Sequence, residues 1–196
     1  MIAYIETNFI MASATGQDAD TLALLAIDPA KLRICIPTVC VMEAWHALNA
    51  KLKEFNVFRS ELSRRIREVQ RDRTSPHAAQ LLPDMVRSEI QAGVLFNDIE
   101  RRFREVLQQL PARAELLPLS PDVLKRSLAL PHIDAPADNL ILHVICEHAA
   151  THPGEEKVLL TANKNDFWTE FTRRVLGAHG ITEFRTHAAH ILQMVK

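Results

Sequence analysis

The stretch IAYIETNF, residues 2–9, joins a short apolar run to a charge at its end. The run from Ile2 to Ile5 predicts a strand short enough to be buried completely. Glu6 stands where that strand should end, and Thr7, Asn8 and a second apolar run follow at once. Taken alone, a carboxylate at this point is typical of a solvated turn. Its meaning therefore depends on what stands at the ends of the other strands.

Strand and helix patterns alternate along the rest of the chain. Further strands are predicted at residues 33–36, 115–119, 157–161 and 181–186. Helices are predicted at residues 38–73, 84–111, 121–130, 136–149, 165–176 and 187–195. Because strands alternate with helices, the sequence predicts an α/β fold with a parallel sheet covered on both faces.

The two longest helix patterns form a pair in the middle of the chain. Apolar residues recur every three or four positions from Val41 to Val69, and again from Leu95 to Leu110. Such stripes can bury each other as an antiparallel hairpin. No Gly/Ser/Pro-rich linker isolates this segment, so we expect one domain over residues 1–196 with a helical hairpin inserted at about 51–115.

Composition narrows the class of protein. The chain has 196 residues, 47% hydrophobic and 24% charged, with a net charge of -1, which is typical of one soluble globular domain. Three cysteines without CxxC spacing favour a reduced, cytoplasmic protein. No signal-peptide pattern or run of 18 apolar residues predicts secretion or a membrane span. With five glycines there is no glycine-rich phosphate loop, and no GxSxG element is present.

Acidic and amide side chains follow the predicted strands or begin the helices beside them. In a parallel sheet, the carboxyl ends of the strands meet at one edge, where ligands bind. The residues that this places at the edge are Glu6, Glu43, Asp138, Asn163 and Asp166. A single acid at a helix start is also explained by the helix dipole.

The set is harder to explain than its members. Several carboxylates at one edge repel one another and raise each other's pKa unless a cation lies among them. Oxygen ligands favour a hard ion, Mg²⁺ or Mn²⁺, over zinc. Such an ion can activate water and neutralise charge on a phosphodiester, so the pattern indicates a metal-dependent nuclease.

Four segments carry a resemblance to a known family. They are ETNFIM at 6–11, IPTVCVMEAWHAL at 36–48, PADNLILHVICEHA at 136–149 and LLTANKNDF at 159–167. Their order and their places on strands and helices resemble the acidic motifs of PIN-domain ribonucleases, VapC-type toxins among them. The resemblance covers about residues 1–50 and 116–196 and implies a three-layer α/β/α fold with a central parallel sheet.

The resemblance also implies an activity and partners. PIN domains are mostly Mg²⁺- or Mn²⁺-dependent endoribonucleases, many of them toxins paired with an antitoxin, and they are often homodimers. By this resemblance, the metal ligands are Glu6, Glu43, Asp138, Asn163 and Asp166, and the four acids among them are the catalytic residues. Thr7, Asn8 and Thr161 would orient the site by hydrogen bonds.

Two positions depart from the family pattern. Glu6 stands where the family has Asp, and Asn163 stands where the fourth motif has an acid. Asp166 can restore part of the missing charge. The ETN and NKNDF sequences resemble a variant PIN-like subgroup, so we interpret the site as a variant active site. The alternative is a catalytically impaired module that binds RNA or protein and regulates it.

Basic and histidine residues give two further hypotheses. Residues 59–73 carry six arginines against three acids, and Arg64, Arg67 and Arg71 fall on one side of the predicted helix. They form either a solvated face with internal ion pairs or a surface that holds the RNA backbone. His148 and His152 are four apart but lack an HExxH pattern, so we expect surface histidines and no zinc site.

Overall fold

Five parallel strands form the centre of the structure, a computed structural model that describes residues 1–195. The strands are β1 (Ile2–Ile5), β2 (Arg33–Pro37), β3 (Glu115–Leu117), β4 (Lys157–Leu160) and β5 (Ile181–Arg185). They lie in the order β3-β2-β1-β4-β5, and every neighbouring pair is parallel. β1 and β4 are buried along their whole length, which explains the apolar sequence of β1 and that of β4 after Lys157.

Helices cover both faces of this sheet. They are α1 (Thr7–Thr15), α2 (Thr21–Leu25), α3 (Thr38–Arg71), α4 (Pro76–Arg113), α5 (Pro121–Ala129), α6 (Pro136–Ala150), α7 (Lys164–Phe167), α8 (Glu170–Ala178) and α9 (Ala188–Met194). Right-handed crossovers put α1 to α4 on one face and α5 to α8 on the other. The predicted three-layer α/β/α fold is therefore confirmed. Within residues 1–195 no helix combines the length and apolarity needed to cross a membrane.

The long helical pair extends beyond the sheet. At 34 and 38 residues, α3 and α4 are about 50 and 57 Å long at the usual helical rise. The prediction that the second helix begins near Asp84 is wrong, because Ser75 caps it and Pro76 is its first residue. The Ser75 hydroxyl accepts a hydrogen bond from the Ala78 amide at 3.3 Å, and Pro83 lies inside the helix.

The apolar stripe of the hairpin is only partly buried. Phe55 of α3 stacks on Phe96 of α4 with ring centroids 3.7 Å apart, so the two helices do pack together. Trp45 and Phe58 of the same stripe are 45% and 54% exposed. Beyond Leu48, Ile66 is the only buried residue in α3. One partner helix covers one side of α3 and leaves the rest of its stripe in solvent.

Three smaller differences concern element boundaries. The predicted helix 165–176 is two helices, because Thr169 caps α8 by accepting a hydrogen bond from the Thr172 amide at 3.1 Å. β3 ends at Leu117, before Pro118, which cannot donate to a ladder. The apolar run after Glu6 is helix α1, and α2 precedes β2.

Candidate active site

The carboxyl ends of β1 and β4 are neighbours at the centre of the sheet. The chain leaves β1 toward β2, while it leaves β4 toward β5 on the other side, so the connections diverge at this point. A crevice at such a divergence is the usual ligand site of a parallel sheet. Glu6 follows β1, and Thr161 to Asn163 follow β4, so both segments enter this crevice.

Glu6 is held rigidly between the two strand ends. Its side chain is only 2% exposed, and one oxygen accepts from the Asn8 amide at 2.9 Å as the cap of α1. The other oxygen accepts from the Ala162 amide at 3.2 Å, just beyond β4. Burial raises the pKa of Glu6, whereas these hydrogen bonds and one from Thr161 oppose the increase. The carboxylate thus links β1 to β4 as well as facing the crevice.

Glu43 lies in the second turn of α3, which starts directly after β2. The hydroxyl of Thr7, the first residue of α1, donates a hydrogen bond to its Oε2 atom. Thr7 therefore orients Glu43. Asn8 is exposed and contacts the site through its backbone amide, which donates to Glu6.

Asp138 shows most clearly that the acids are close together. It is half-buried in the first turn of α6, which begins with Pro136. Its pKa is raised to about 7, first by burial and then by the negative charges of Glu43, Asp166 and Glu6. Four acids that are distant in sequence therefore act on one another at this edge.

Asn163 bridges two of these acids. Its side-chain amide donates to Asp138 Oδ2 at 3.2 Å and to Asp166 Oδ2 at 2.8 Å. The Thr161 hydroxyl accepts from the Asn163 backbone amide at 3.0 Å and so fixes the turn that carries it. Asn163 thus brings no charge of its own to the cluster and supplies a hydrogen bond to each of two acids.

The donor set fits a hard divalent cation. Glu6, Glu43, Asp138 and Asp166 offer carboxylate oxygens, and the raised pKa of Asp138 indicates negative charge that a cation would offset. Within residues 1–195, no three of these carboxylates bring ligand atoms within 4.8 Å of one another. Mutual repulsion of unscreened carboxylates favours such a separation.

A cavity of about 140 Å³ opens beside Glu6 and was not predicted from the sequence. Gln17 and Asp18 line one side, and Thr186 and His187 line the other. Asp18 also accepts from the Ala188 amide at 3.0 Å, which ties the loop after α1 to the start of α9. These residues come from two distant loops, and no local sequence pattern marks them.

The arginines of α3 lie far from the acids. Arg64 is 21 residues beyond Glu43, which is about 32 Å along the helix. Its guanidinium pairs with Glu61 and Glu68, as the solvated-face interpretation expects. In the part of the chain that the structure describes, Arg67 and Arg71 make no ion pair, and both are exposed.

The expectation of a surface histidine is wrong for His148. Its side chain is 12% exposed, and its Nδ1 atom lies 2.8 Å from the Tyr4 hydroxyl. The reason is that α6 lies over the sheet, so its inner face is buried to the last turn.

Comparison with known proteins identifies the family. A family model described as PIN domain matches residues 3–167, a range that contains Glu6, Glu43, Asp138, Asn163 and Asp166. Neither the curated proteins nor the solved structures compared with the chain give a match. PIN domains are commonly nucleases and typically bind divalent metals. Because the match covers most of the chain, this protein belongs to the PIN-domain family.

Proposed function

We propose that this protein is a divalent-metal-dependent endoribonuclease that hydrolyses RNA phosphodiester bonds. The observation that carries the proposal is the meeting of several acids at the divergence of the sheet connections, where Asn163 bridges Asp138 and Asp166 and the pKa of Asp138 is raised. Structural ion-pair networks also shift pKa values, but here the charged neighbours are all acids. Such a site is suited to binding a cation.

Each residue has a role in this proposal. Glu6, Glu43, Asp138 and Asp166 would hold Mg²⁺ or Mn²⁺, with the amide oxygen of Asn163 as a further ligand. A divalent ion supplies positive charge that lowers the pKa of water and offsets the charge that builds on a phosphodiester. Thr7 holds Glu43 in one orientation by its hydroxyl.

Two further residues preorganise the crevice. Thr161 fixes the turn of Asn163, and Asn163 keeps the side chains of Asp138 and Asp166 side by side. A preorganised set of acids binds a cation without first having to order its side chains. The backbone amide of Asn8 does the same for Glu6.

The experiment compares RNA cleavage by the parent chain and by Asp138→Asn and Glu43→Gln, with Mg²⁺, with Mn²⁺ and with EDTA. We expect metal-dependent internal cleavage by the parent and none by the variants. Asp134→Asn is the matched control, because Asp134 is exposed, precedes the same helix and lies outside the cluster. Cleavage that survives in EDTA, or variants as active as the control, would refute the proposal.

A second candidate function rests on Asn163 and Glu6. Asn163 lacks the charge of the family acid, and both oxygens of Glu6 already accept backbone hydrogen bonds. These features favour a catalytically impaired module that binds RNA or protein. Binding of RNA by the metal-loaded parent without cleavage would support it.

The biological setting follows from the family alone. We propose a VapC-type toxin role, an antitoxin protein partner and a homodimer, all in the cytoplasm. The ETN and NKNDF sequences would then mark a subgroup with a variant site. Growth arrest on expression of the parent, relieved by Asp138→Asn, is the expected result, and normal growth with intact RNA would contradict the toxin role.

A further inference from the structure

A second polar cluster lies near the opposite end of α6. Tyr4 of β1 pairs in register with Cys35 of β2, and Cys35 pairs with Glu115 of β3. Partners in a parallel ladder point to the same face of the sheet, so the three side chains form one row. His148, in the last turns of α6, lies over this row. The cluster therefore draws on three strands and one helix.

The distances within the cluster match those between ligands of one metal ion. Cys35 Sγ is 3.7 Å from Glu115 Oε2, and His148 Nε2 is 3.3 Å from Glu115 Oε1. Ligand atoms at about 2.0 to 2.3 Å from a tetrahedral zinc ion lie roughly 3.3 to 3.8 Å from one another. In residues 1–195 this is the only group of three His, Cys, Asp or Glu side chains whose ligand atoms all lie within 4.8 Å of one another.

We propose that Cys35, Glu115 and His148 bind one Zn²⁺ ion. A thiolate, an imidazole and a carboxylate together select zinc over the hard ions favoured by an all-oxygen site. Cys35 is buried, whereas the Glu115 side chain is 43% exposed, so the fourth position opens to water on the Glu115 side. Binding releases the Cys35 thiol proton to solvent, because the thiolate is the ligand.

Tyr4 supports this assignment from outside the ligand set. A histidine that binds metal through Nε2 carries its proton on Nδ1, and that proton needs an acceptor. The Tyr4 hydroxyl lies 2.8 Å from Nδ1 and can accept it.

One nearby charge opposes the ion. Arg33 Nε is 3.9 Å from Glu115 Oε2 and is buried without a hydrogen-bond partner. The Arg33 guanidinium instead pairs with Glu155, whose carboxylate accepts a hydrogen bond from Arg33 Nη2 at 2.8 Å. His152 stacks on His148 with ring centroids 4.2 Å apart. Its Nδ1 atom lies 2.9 Å from the His148 carbonyl oxygen, so we do not include His152 among the ligands. Removal of the Arg33 charge should therefore tighten zinc binding.

The zinc site and the acidic crevice are separate. Asp138 lies in the first turn of α6 and His148 lies ten residues further on, about 15 Å along the helix. Zinc binding is independent of nuclease activity. The zinc ion would link β2, β3 and α6, away from the acidic crevice.

The test is titration of the metal-stripped full chain with Co²⁺ and then Zn²⁺. We expect a thiolate-to-cobalt charge-transfer band, displaced by one Zn²⁺ per chain. Cys35→Ser should remove the band. Cys146→Ser, which changes another buried cysteine outside the cluster, and Asp138→Asn, which alters the acidic crevice, should keep it.

Substitutions around the ion give graded results. Glu115→Gln and Tyr4→Phe should each weaken zinc binding by about tenfold or more, and Arg33→Gln should strengthen it. If Cys35→Ser fails to fold, Glu115→Gln decides, because this exposed side chain can be changed without disturbing the core. No cobalt–thiolate band in the parent, unchanged zinc affinity in Glu115→Gln, or loss of the band in Asp138→Asn would overturn the proposal.

Discussion

Replacement of Asp138 by Asn should stabilise the metal-free protein at neutral and alkaline pH. In the folded chain burial and neighbouring acids raise the pKa of Asp138 from 3.8 to about 7. The folded state therefore binds a proton more readily than the unfolded state between these pH values. Stability contributed by the protonated group is complete below about pH 4 and is lost as the pH rises to about 7. Asn cannot ionise and avoids this loss.

The expected size of the effect follows from the same values. A pKa change from 3.8 to about 7 corresponds to about 4 kcal/mol without screening. Because Asp138 is half-exposed, solvent screening reduces this to on the order of 1–2 kcal/mol. In a chain of this length, such a gain raises the Tm by roughly 2–8 °C.

The assay is urea unfolding in EDTA at pH 4.5 and pH 8, repeated at pH 8 with Mn²⁺. The advantage of Asp138→Asn over the parent should be small at acid pH and full at pH 8. Mn²⁺ should stabilise the parent more than the variant. Asp134→Asn, at an exposed position, is the matched control. An equal effect of Asp138→Asn at both pH values, with no influence of Mn²⁺, would show that the acids do not share a cation.

The remaining predictions concern the bridging amide, the orienting hydroxyl and the distal arginines. Asn163→Asp should lower the Tm in EDTA, because the substitution removes two hydrogen bonds and adds a negative charge. It should also enlarge the Tm increase caused by Mn²⁺. An unchanged Mn²⁺ effect would argue against a place for residue 163 in the metal site. Thr7→Val should keep the fold but reduce RNA cleavage at least about tenfold by releasing Glu43, and full activity would refute the orienting role. Replacement of Arg64, Arg67 and Arg71 by alanine should weaken RNA binding and reduce the slope of log K against log salt by about 2–3. An unchanged slope would favour the solvated-face interpretation.

The sheet could be predicted from the sequence because its signals are local. Most strands are short runs rich in apolar residues, and each acid follows a strand or stands in the first turns of a helix. The apolar pattern predicts α4 only from about Asp84, but the helix begins earlier, at the start signal formed by Ser75 and Pro76, and continues through Pro83. Proline inside a helix removes one hydrogen bond, and a long helix packed on its partner tolerates that loss.

The detailed site could not be predicted because its contacts are distant in sequence. The Glu6 carboxylate accepts from Ala162, 156 residues away, and this bond depends on β1 and β4 being neighbours. His148 meets Tyr4 across 144 residues. Chain order could suggest which acids share an edge, but the strand order and register decide which hydrogen bonds they make.

The uneven burial of the helical hairpin has a consequence for how the molecule opens. The inner half of α4 is anchored by Ile99, Phe103, Val106 and Leu110, while the outer part of α3 contributes a single buried side chain, Ile66. Backbone amides at the tip should therefore exchange with solvent deuterium through local opening, long before those of the sheet. Whole helical turns can be gained or lost there during evolution while the acidic crevice, built on β1 and β4, keeps its geometry.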